Sequence, residues 1–456
     1  MGKGWRRLLA VTMVVVAFAA GCGGDDGGGS DAEDCGSDLE TVNVPDDCGT
    51  IQAAVDSAAE GSLILVAPGT YEEEVNVTTD DLVIRGLDRN ETILEGGFER
   101  ENGIRVLEAD GVAVENMTAQ NYTGNGFFWT GVDGYRGSYL NAIRNGDYGI
   151  YAFGSQNGTF EHSYASGSPD AGYYIGQCYP CDALIDDVTA EWNGLGYSGT
   201  NSGGNLLIVN SVFTQNRAGI IPNSQTSEGC SPQNETTIVG NVVADNNNDQ
   251  TAAIGVALQG MWNGILVTGG NNNVIERNRV DNHEVTGIAV APRPEDDPIA
   301  PIPEEYPTDC VEDAVAAPDD VVATLDNPLF WEATGNQVIG NVVTNSGEWD
   351  LALVTLSAEG EGNCFADNDA VGITAPLEIE AVLPCDGPQQ SYEPEFARFL
   401  ELADATGRPE SVPYEDVDLP DPGDQAEMPD AATAPAEPAG PPRTVDLAVI
   451  AVPDLP

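Results

Sequence analysis

Three side chains that can carry protons recur at almost equal intervals, namely Tyr139, His162 and Asp186. When the segments around them are aligned, each falls at the position that Asn116 and Asn210 hold in neighbouring segments. A tyrosine, a histidine and a carboxylate on consecutive turns of a repeat can remove a proton from a carbon acid and return it. Because asparagines at such positions are expected to face inward, the alternative is a buried, hydrogen-bonded turn without chemistry.

A second group of side chains suits a cation. Asp182, Asp186 and Asp187 lie close together, and carboxylate oxygens are the ligands that Ca²⁺ prefers. The alternative is plain solubility, because the whole chain carries a formal net charge of −59. A charge of this sign makes nucleic acid an unlikely partner, and no nucleotide-binding motif occurs. No cofactor is certain from the sequence, and calcium is the candidate.

The third group is aromatic, because about half of the aromatic residues fall between 122 and 197. Phe128, Tyr151 and Tyr174 each come two positions after a glycine. Side chains alternate in direction along a strand, and the position before each ring is steadily apolar, so we expect the rings to point outward. Flat rings spaced by ~4.8 Å can stack on sugars. The alternative is that the rings pack under a covering loop.

A fixed period underlies these positions. Similar segments begin at Gly103, Gly126, Gly149, Gly172, Gly196 and Gly219, at intervals of 23, 23, 23, 24 and 23 residues. Short runs of β-forming residues separated by glycine and asparagine turns fill each period. A period of this size predicts a solenoid whose strands pair in parallel from one coil to the next.

The entry into the repeats is also distinctive. The stretch TIQAAVDSAAEGSLILVAPGTYEEEVNV (50–77) has an apolar face at helical spacing, followed by a strand and a PGTY turn. Together with repeats such as LIVNSVFTQN, it resembles the pectate-lyase-like superfamily of right-handed parallel β-helices. The resemblance implies an all-β, single-stranded right-handed parallel β-helix over residues 48–390, with an N-terminal capping helix.

The resemblance is informative for fold and much less so for function, because this superfamily contains lyases, hydrolases, epimerases and adhesins. Its catalytic signatures are mostly missing, and only the Asp186-Asp187 pair resembles one of them. We therefore expect a protein that binds polysaccharide through Phe128, Tyr151 and Tyr174. One alternative is a lyase or C5-epimerase for uronate-containing glycans, with Tyr139, His162 and Asp186 as catalytic residues. The other alternative is a structural surface protein.

Segments outside the regular repeats define the remaining organisation. Long insertions fall near 223–233 and 291–333, and insertions on a rigid solenoid often form its binding face. Residues 391–456 are predicted to form a short helix and then a disordered, acidic tail rich in proline, alanine and aspartate. His283 is predicted to lie in a turn.

The N-terminus predicts export. Residues 1–21 combine Lys3, Arg6 and Arg7 with a short apolar stretch that ends in Ala-Ala-Gly before Cys22. This ending resembles a bacterial lipobox, which implies a lipid on Cys22 and attachment to the outer face of the cell membrane. An ordinary secretory signal or an uncleaved anchor is the alternative. Residues 22–47 read as a flexible acidic tether.

The cysteine count fits an oxidising compartment, since eight cysteines follow Cys22. Sequence alone does not fix their pairing, but proximity favours three short-range bridges and one long one. The pairs expected in this way are Cys35–Cys48, Cys178–Cys181, Cys364–Cys385 and Cys230–Cys310. We interpret the Cys178-Tyr-Pro-Cys181 spacing as a structural loop closure, with a redox motif as the alternative.

Replacement of Cys22 by alanine tests the predicted anchor. We expect Cys22→Ala to leave the lipid fraction or to accumulate as an unprocessed intermediate, because the thiol that takes the lipid is gone. Partition into detergent measures the outcome. An unchanged detergent-phase fraction of chain from which residues 1–21 have been removed would show that the chain is not anchored through this residue.

Overall fold

The computed structural model describes Cys35 and residues 40–295, 329–404 and 409–455. Its strands pair in parallel from coil to coil throughout two long sheets, which we call sheet A (21 strands) and sheet B (11 strands). A further strand pair, Arg293–Glu295 with Leu329–Trp331, is antiparallel. The predicted parallel β-solenoid is therefore confirmed.

Sheet B contributes one strand to each coil. Its strands are Val75–Val77, Ile104–Leu107, Phe127–Thr130, Tyr148–Phe153, Ala171–Gly176, Leu195–Thr200, Ala218–Asn223, Asn263–Thr268, Thr286–Ala291, Trp349–Leu353 and Thr374–Ala375.

Sheet A forms two adjoining columns, which the long strands Val112–Gln120 and Asp133–Ile143 cross. The strands of the first column are Thr41–Val44, Leu63–Val66, Val83–Gly86, Gln156–Glu161, Ala183–Asp186, Gly203–Val209, Asn234–Val239, Val274–Glu276, Gln337–Ile339 and Cys364–Ala366. The strands of the second column are Gly69–Tyr71, Thr92–Glu95, Tyr164–Ser166, Thr189–Glu191, Val212–Thr214, Val242–Ala244, Arg279–Asp281, Val342–Thr344 and Asp369–Ala370.

The core is a stack of equivalent residues. Ile150 pairs in register with Phe127 on one side and Tyr173 on the other, and all three side chains are fully buried. Ile265 continues the same column further along the axis and is also fully buried. The predicted inward direction of the first position after each glycine is therefore confirmed, and burial of these columns drives folding.

Asparagine side chains stack inside the corners of the coils. Asn278 accepts hydrogen bonds from the backbone and side chain of Asn241, at 3.0 Å each, and donates to Asn341 at 3.0 Å. A second stack joins Asn193, Asn216 and Asn246 in the same way. Each buried amide thus satisfies the polar groups that a corner leaves unpaired.

The N-terminal helix, α1, spans Ile51–Ser57 as the sequence predicts. Thr50 caps it by accepting a hydrogen bond from the backbone N–H of Ala53, and Glu73 accepts from two further N–H groups of the first turn. The buried residues of α1 join the main core. The other α-helices of the described ranges are α2 (Gly255–Gln259), α3 (Ile379–Val382) and α4 (Phe396–Ala403), and among the described residues no helix is long and apolar enough to cross a bilayer.

Three of the expected disulfides are present. They join Cys35 to Cys48, Cys178 to Cys181, and Cys364 to Cys385. Cys230 is disulfide-bonded as well. Its expected partner Cys310 lies outside the described residues, as do most of the second predicted insertion and Cys22.

The C-terminal segment differs from the disordered tail that its composition predicts. Residues 409–455, which we call the strap, run along the outside of the solenoid with almost no regular structure of their own. Val445, Leu447 and Ile450 pack on outward apolar residues of sheet A. Arginine side chains of the solenoid donate to strap carbonyl oxygens, and they are Arg85, Arg89, Arg136, Arg144, Arg217, Arg277 and Arg279. Composition alone misses these partners, because the solenoid supplies them.

Loss of one stacked amide should destabilise the solenoid. Asn278→Ala leaves several buried donors and acceptors without partners, so we expect the free energy of unfolding to fall by more than about 2 kcal/mol. Gln337→Ala is the matched control, because Gln337 is exposed on the strand Gln337–Ile339 and its loss should change stability by less than about 0.5 kcal/mol. Denaturant unfolding measures both. Equal effects would show that the buried stack adds no stability.

Candidate functional site

The outer face of sheet B carries a stack of aromatic rings. Phe128, Tyr151 and Tyr174 pair in register on three consecutive strands, and their ring centroids are 4.7 Å apart at both steps. Phe128 and Tyr151 are half-buried, whereas Tyr174 is only 1% exposed. Tyr148 widens the stack, with its ring centroid 4.6 Å from that of Tyr151. The predicted stripe is therefore present, with its third ring covered.

Two rings of the stack, those of Phe128 and Tyr151, stay half-buried on the outer face of sheet B. Further along the axis, α2 and α4 pack on this face through Val256, Ala257 and Phe399. The outward sheet B residues in the same cluster are aliphatic or small except for the buried Trp349, and they include Ala171, Leu195, Ala218, Ile221, Leu266 and Ala289. A ligand that lies on sheet B therefore meets a continuous stack of rings over the coils of Phe128, Tyr151 and Tyr174.

Two carboxyl groups line one edge of the stack. Asp147 and Asp170 occupy the same place on neighbouring coils, where the backbone N–H of Asp170 donates to the carbonyl of Asp147 at 3.1 Å. Burial raises the pKa of Asp147 to about 7. Burial, together with the charge of Asp147, raises the pKa of Asp170 well above its usual range, and Asp170 hydrogen bonds to Tyr148. We call these two residues the acid edge.

A third carboxyl group reaches the stack from the insertion at 223–233. The hydroxyl of Tyr174 donates to Glu228 at 2.6 Å, and the loop is held by Asn201, whose side-chain amide donates to two of its carbonyl oxygens. Burial raises the pKa of Glu228 to about 8, although the hydrogen bond from Tyr174 and the charge of Arg293 act in the opposite direction. This loop is what covers the third ring.

The raised pKa values change what the site can bind. At neutral pH a large share of these carboxyl groups is protonated, so they can donate hydrogen bonds as well as accept them. The expectation that an acidic site must repel a uronate holds for ionised groups and fails for protonated ones. The arrangement can therefore accept a sugar acid without a bridging cation, and it can exchange protons near neutral pH.

The predicted catalytic column lies elsewhere and has a different third member. The ring of Tyr139 lies 4.7 Å from that of His162, whose Nδ1 is 2.7 Å from a carboxylate oxygen of Asp187. All three residues have positive φ values, between 51° and 54°, which places their side chains on the outside of a corner. The prediction of Asp186 is wrong by one residue, because that coil is longer than its neighbours. Asp186 instead pairs with Arg443 of the strap.

The three aspartates proposed for calcium are not brought together. Asp182 accepts from Asn205, Asp186 bonds to Arg443 and Asn210, and Asp187 bonds to His162. Over the described ranges, no group of three histidine, cysteine or acidic side chains could hold a metal ion.

His283 is a core residue with an unexpected role. It is 1% exposed, and its Nε2 lies 3.2 Å from the side-chain nitrogen of Asn246, at the end of an asparagine stack. Burial lowers its pKa to about 3.

Sequence reasoning missed the acid edge and Glu228. Asp147 and Asp170 do share the 23-residue interval of the glycines, and each stands two positions before one of them. That regularity is a signal, but it does not show on which side of the turn the carboxyl groups lie. Glu228 has no such signal, because it comes from a loop outside the repeat.

Comparisons with known proteins agree with this fold. Residues 89–233 match the family model described as a right handed beta helix region. No curated protein matches the chain.

Solved structures resemble the chain at low identity. The A-module of mannuronan C-5 epimerase AlgE4 of Azotobacter vinelandii is 16% identical, with 74% of this chain and 94% of that chain covered and a TM-score of 0.44. The catalytic domain of a GH87 alpha-1,3-glucanase in complex with nigerose is 12% identical, with 72% of this chain and 68% of that chain covered and a TM-score of 0.41. The periplasmic alginate epimerase AlgG is 11% identical, with 68% of this chain and 60% of that chain covered and a TM-score of 0.34. At such identities and TM-scores, the function of this chain has to be argued from its own residues.

The carboxyl group of Glu228 should make stability depend on pH. Its folded-state pKa of about 8 lies above the ordinary value of 4.5, so the folded state holds a proton that the unfolded state releases between these values. Stability from this group therefore falls as the pH rises from about 4.5 to 8. We expect Glu228→Gln to gain stability relative to the unmodified chain over this interval, as measured by denaturant unfolding.

Glu235→Gln is the matched control. Glu235 is exposed and also accepts a hydrogen bond from a tyrosine hydroxyl, that of Tyr179. Its replacement should leave the pH dependence of stability unchanged. Parallel pH profiles for the two variants would contradict the buried, protonated state of Glu228.

Proposed function

We propose that this protein binds a polysaccharide along the outer face of sheet B. The observation that supports the proposal is the stack of Phe128, Tyr151 and Tyr174, one ring per coil, with two of the rings half-buried rather than buried. Aromatic faces stack on the apolar faces of sugar rings, and tyrosine hydroxyls bond to sugar hydroxyls. The spacing of the rings lets a glycan that runs along the axis contact several of them.

Acidic glycans are the preferred class. Asp147, Asp170 and Glu228 carry raised pKa values, so they offer protonated carboxyl groups to a uronate at neutral pH. Neutral sugars gain the stacking contacts and hydrogen bonds to their hydroxyls, but they lack a carboxylate that can accept from the protonated carboxyl groups. The preference for acidic glycans should therefore weaken as the pH rises above about 7 and the carboxyl groups ionise.

A second candidate function is a lyase or C5-epimerase reaction on a bound uronate. Such a reaction needs groups that neutralise the uronate carboxylate and a base that removes the C5 proton. Asp170, whose pKa lies well above its usual range, is suited to the first role, and the ionised share of Asp147, whose pKa is about 7, is suited to the second. The Tyr139–His162–Asp187 corner has a fixed imidazole, but it lies outside sheet B, and so it ranks behind the acid edge.

Export and anchoring belong to the same proposal. The disulfides, the signal-like N-terminus and Cys22 support a mature chain held by a lipid at the outer face of the cell membrane. There the solenoid would meet polysaccharides of the cell's surroundings.

Removal of one ring from the middle of the stack tests the binding site. We expect Tyr151→Ala to weaken retention of polygalacturonate on an affinity gel about tenfold, because the central stacking contact is lost. Tyr71→Ala is the matched control, since Tyr71 is a half-buried tyrosine on sheet A. Absorbance of unsaturated uronate in the same samples reports any lyase reaction. Equal retention of both variants would exclude the stack as the binding surface.

A further inference from the structure

The first part of the strap, residues 409–414, contacts two places beside the acid edge. The ring of Tyr414 packs so closely on Gly146 that a Cβ on this glycine would lie 3.0 Å from its Cζ. The Tyr414 ring also contacts Phe98 edge to face, with ring centroids 5.8 Å apart. Because Gly146 directly precedes Asp147, the ring fixes the backbone from which that carboxyl group extends.

The second contact is made through residues 245–262, which carry α2 and which we call the α2 insertion. The backbone N–H of Ala253 donates to Oγ of Ser411 at 2.7 Å. The next residue, Ile254, donates its N–H to the carbonyl of Pro169 at 3.1 Å, and Pro169 directly precedes Asp170. A Cβ on Gly255 would lie 3.3 Å from Oδ2 of Asp170. Ser411 therefore holds the segment that lies against the second carboxyl group.

One buried arginine joins the two supports. Arg217 is fully buried and donates to the carbonyl oxygens of Asp249 and Thr251 in the insertion. The same guanidinium group donates to Pro409 and Glu410 at 3.4 Å, where the strap begins. The guanidinium group of Arg217 thus binds both the α2 insertion and the start of the strap. These are the two segments that contact the surroundings of the acid edge.

We propose that Ser411 and Tyr414 are positioning residues that hold Asp147 and Asp170 in place at the edge of the ring stack and keep water from them. The proposal rests on the function proposed above, for which the acid edge recognises the uronate. It gives the strap a role in the site that its contacts with sheet A do not supply. These carboxyl groups keep their protons near neutral pH because protein surrounds them. Loss of the contacts made by Ser411 and Tyr414 therefore lets water reach the carboxyl groups, and they ionise at lower pH.

The distal end of the strap provides a matched comparison. Ile450 packs on outward apolar residues of sheet A and against Gly240, and it belongs to the same strap as Tyr414. Its replacement loosens the strap without touching the surroundings of Asp147 or Asp170. If Tyr414 shields the acid edge from water, the titration of Asp147 should change in Tyr414→Ala and stay unchanged in Ile450→Ala.

The experiment measures two properties of the full-length chain and its Tyr414→Ala, Tyr414→Phe, Ser411→Ala and Ile450→Ala variants. Carbon-13 NMR follows the titration of the Asp147 carboxyl group, and an affinity gel follows the pH dependence of polygalacturonate retention. We expect the midpoints of both curves to fall by at least one pH unit in Tyr414→Ala and, to a smaller extent, in Ser411→Ala. Tyr414→Phe should restore them because the ring is retained, and Ile450→Ala should leave them unchanged.

Each other outcome has a definite meaning. An unshifted Asp147 titration in Tyr414→Ala, or an equal shift in Ile450→Ala, would overturn the positioning role. A shifted titration in a chain that never retains polygalacturonate would uphold the positioning role and count against the proposed function. The two proposals can therefore fail separately.

Discussion

In-register parallel pairing between successive coils is the constraint on which the whole structure depends. Each strand hydrogen bonds to its counterparts in the previous and the next coil, so equivalent residues stack at a spacing of ~4.8 Å. Inward residues then form continuous apolar columns, and asparagines at the corners satisfy one another from coil to coil. The outward positions obey the same register, which is why Phe128, Tyr151 and Tyr174 form a line rather than a scatter of exposed rings.

Much of this was predictable because the repeat carries its own register. The glycine period and the alternation of strand side chains together fixed the inward column of Ile150 and the outward column of Tyr151. The prediction from the period was wrong where a coil is longer than its neighbours. For this reason Asp187, and not Asp186, lies on the coil next to His162 and bonds to it. The inward direction expected for the corner side chains was also wrong. A positive φ at Tyr139 and His162 turns these side chains outward, and the side chain of the next residue points inward.

Features that come from outside the repeat were beyond sequence reasoning. Glu228 reaches the ring stack from an insertion, and only the folded loop shows that it meets Tyr174. The strap has a composition typical of disordered chains, since it lacks a core of its own. Its order comes from the solenoid, whose arginines and outward apolar residues supply the partners. Pattern reasoning describes each segment by itself, whereas these contacts join segments that are 54 residues apart for Tyr174 and Glu228 and 349 apart for Arg85 and Ala434.

The site combines surfaces that would be unremarkable alone. Aromatic rings exclude water from nearby carboxyl groups, and the resulting rise in pKa makes an acidic surface able to receive an acidic sugar. The formal net charge of the whole chain, −59, suggests the opposite preference. Local burial decides the chemistry of the site, and the ring stack together with its covering loops provides that burial.

The central claim is that the outer face of sheet B is the glycan surface, and a crystal structure of the chain with a galacturonate hexasaccharide tests it most directly. We expect the oligosaccharide to lie along the solenoid axis, with sugar rings against Phe128 and Tyr151 and a uronate carboxyl group within hydrogen-bond distance of Asp147 or Asp170. An oligosaccharide bound on sheet A or at the His162 corner, with the rings of sheet B unoccupied, would contradict the account.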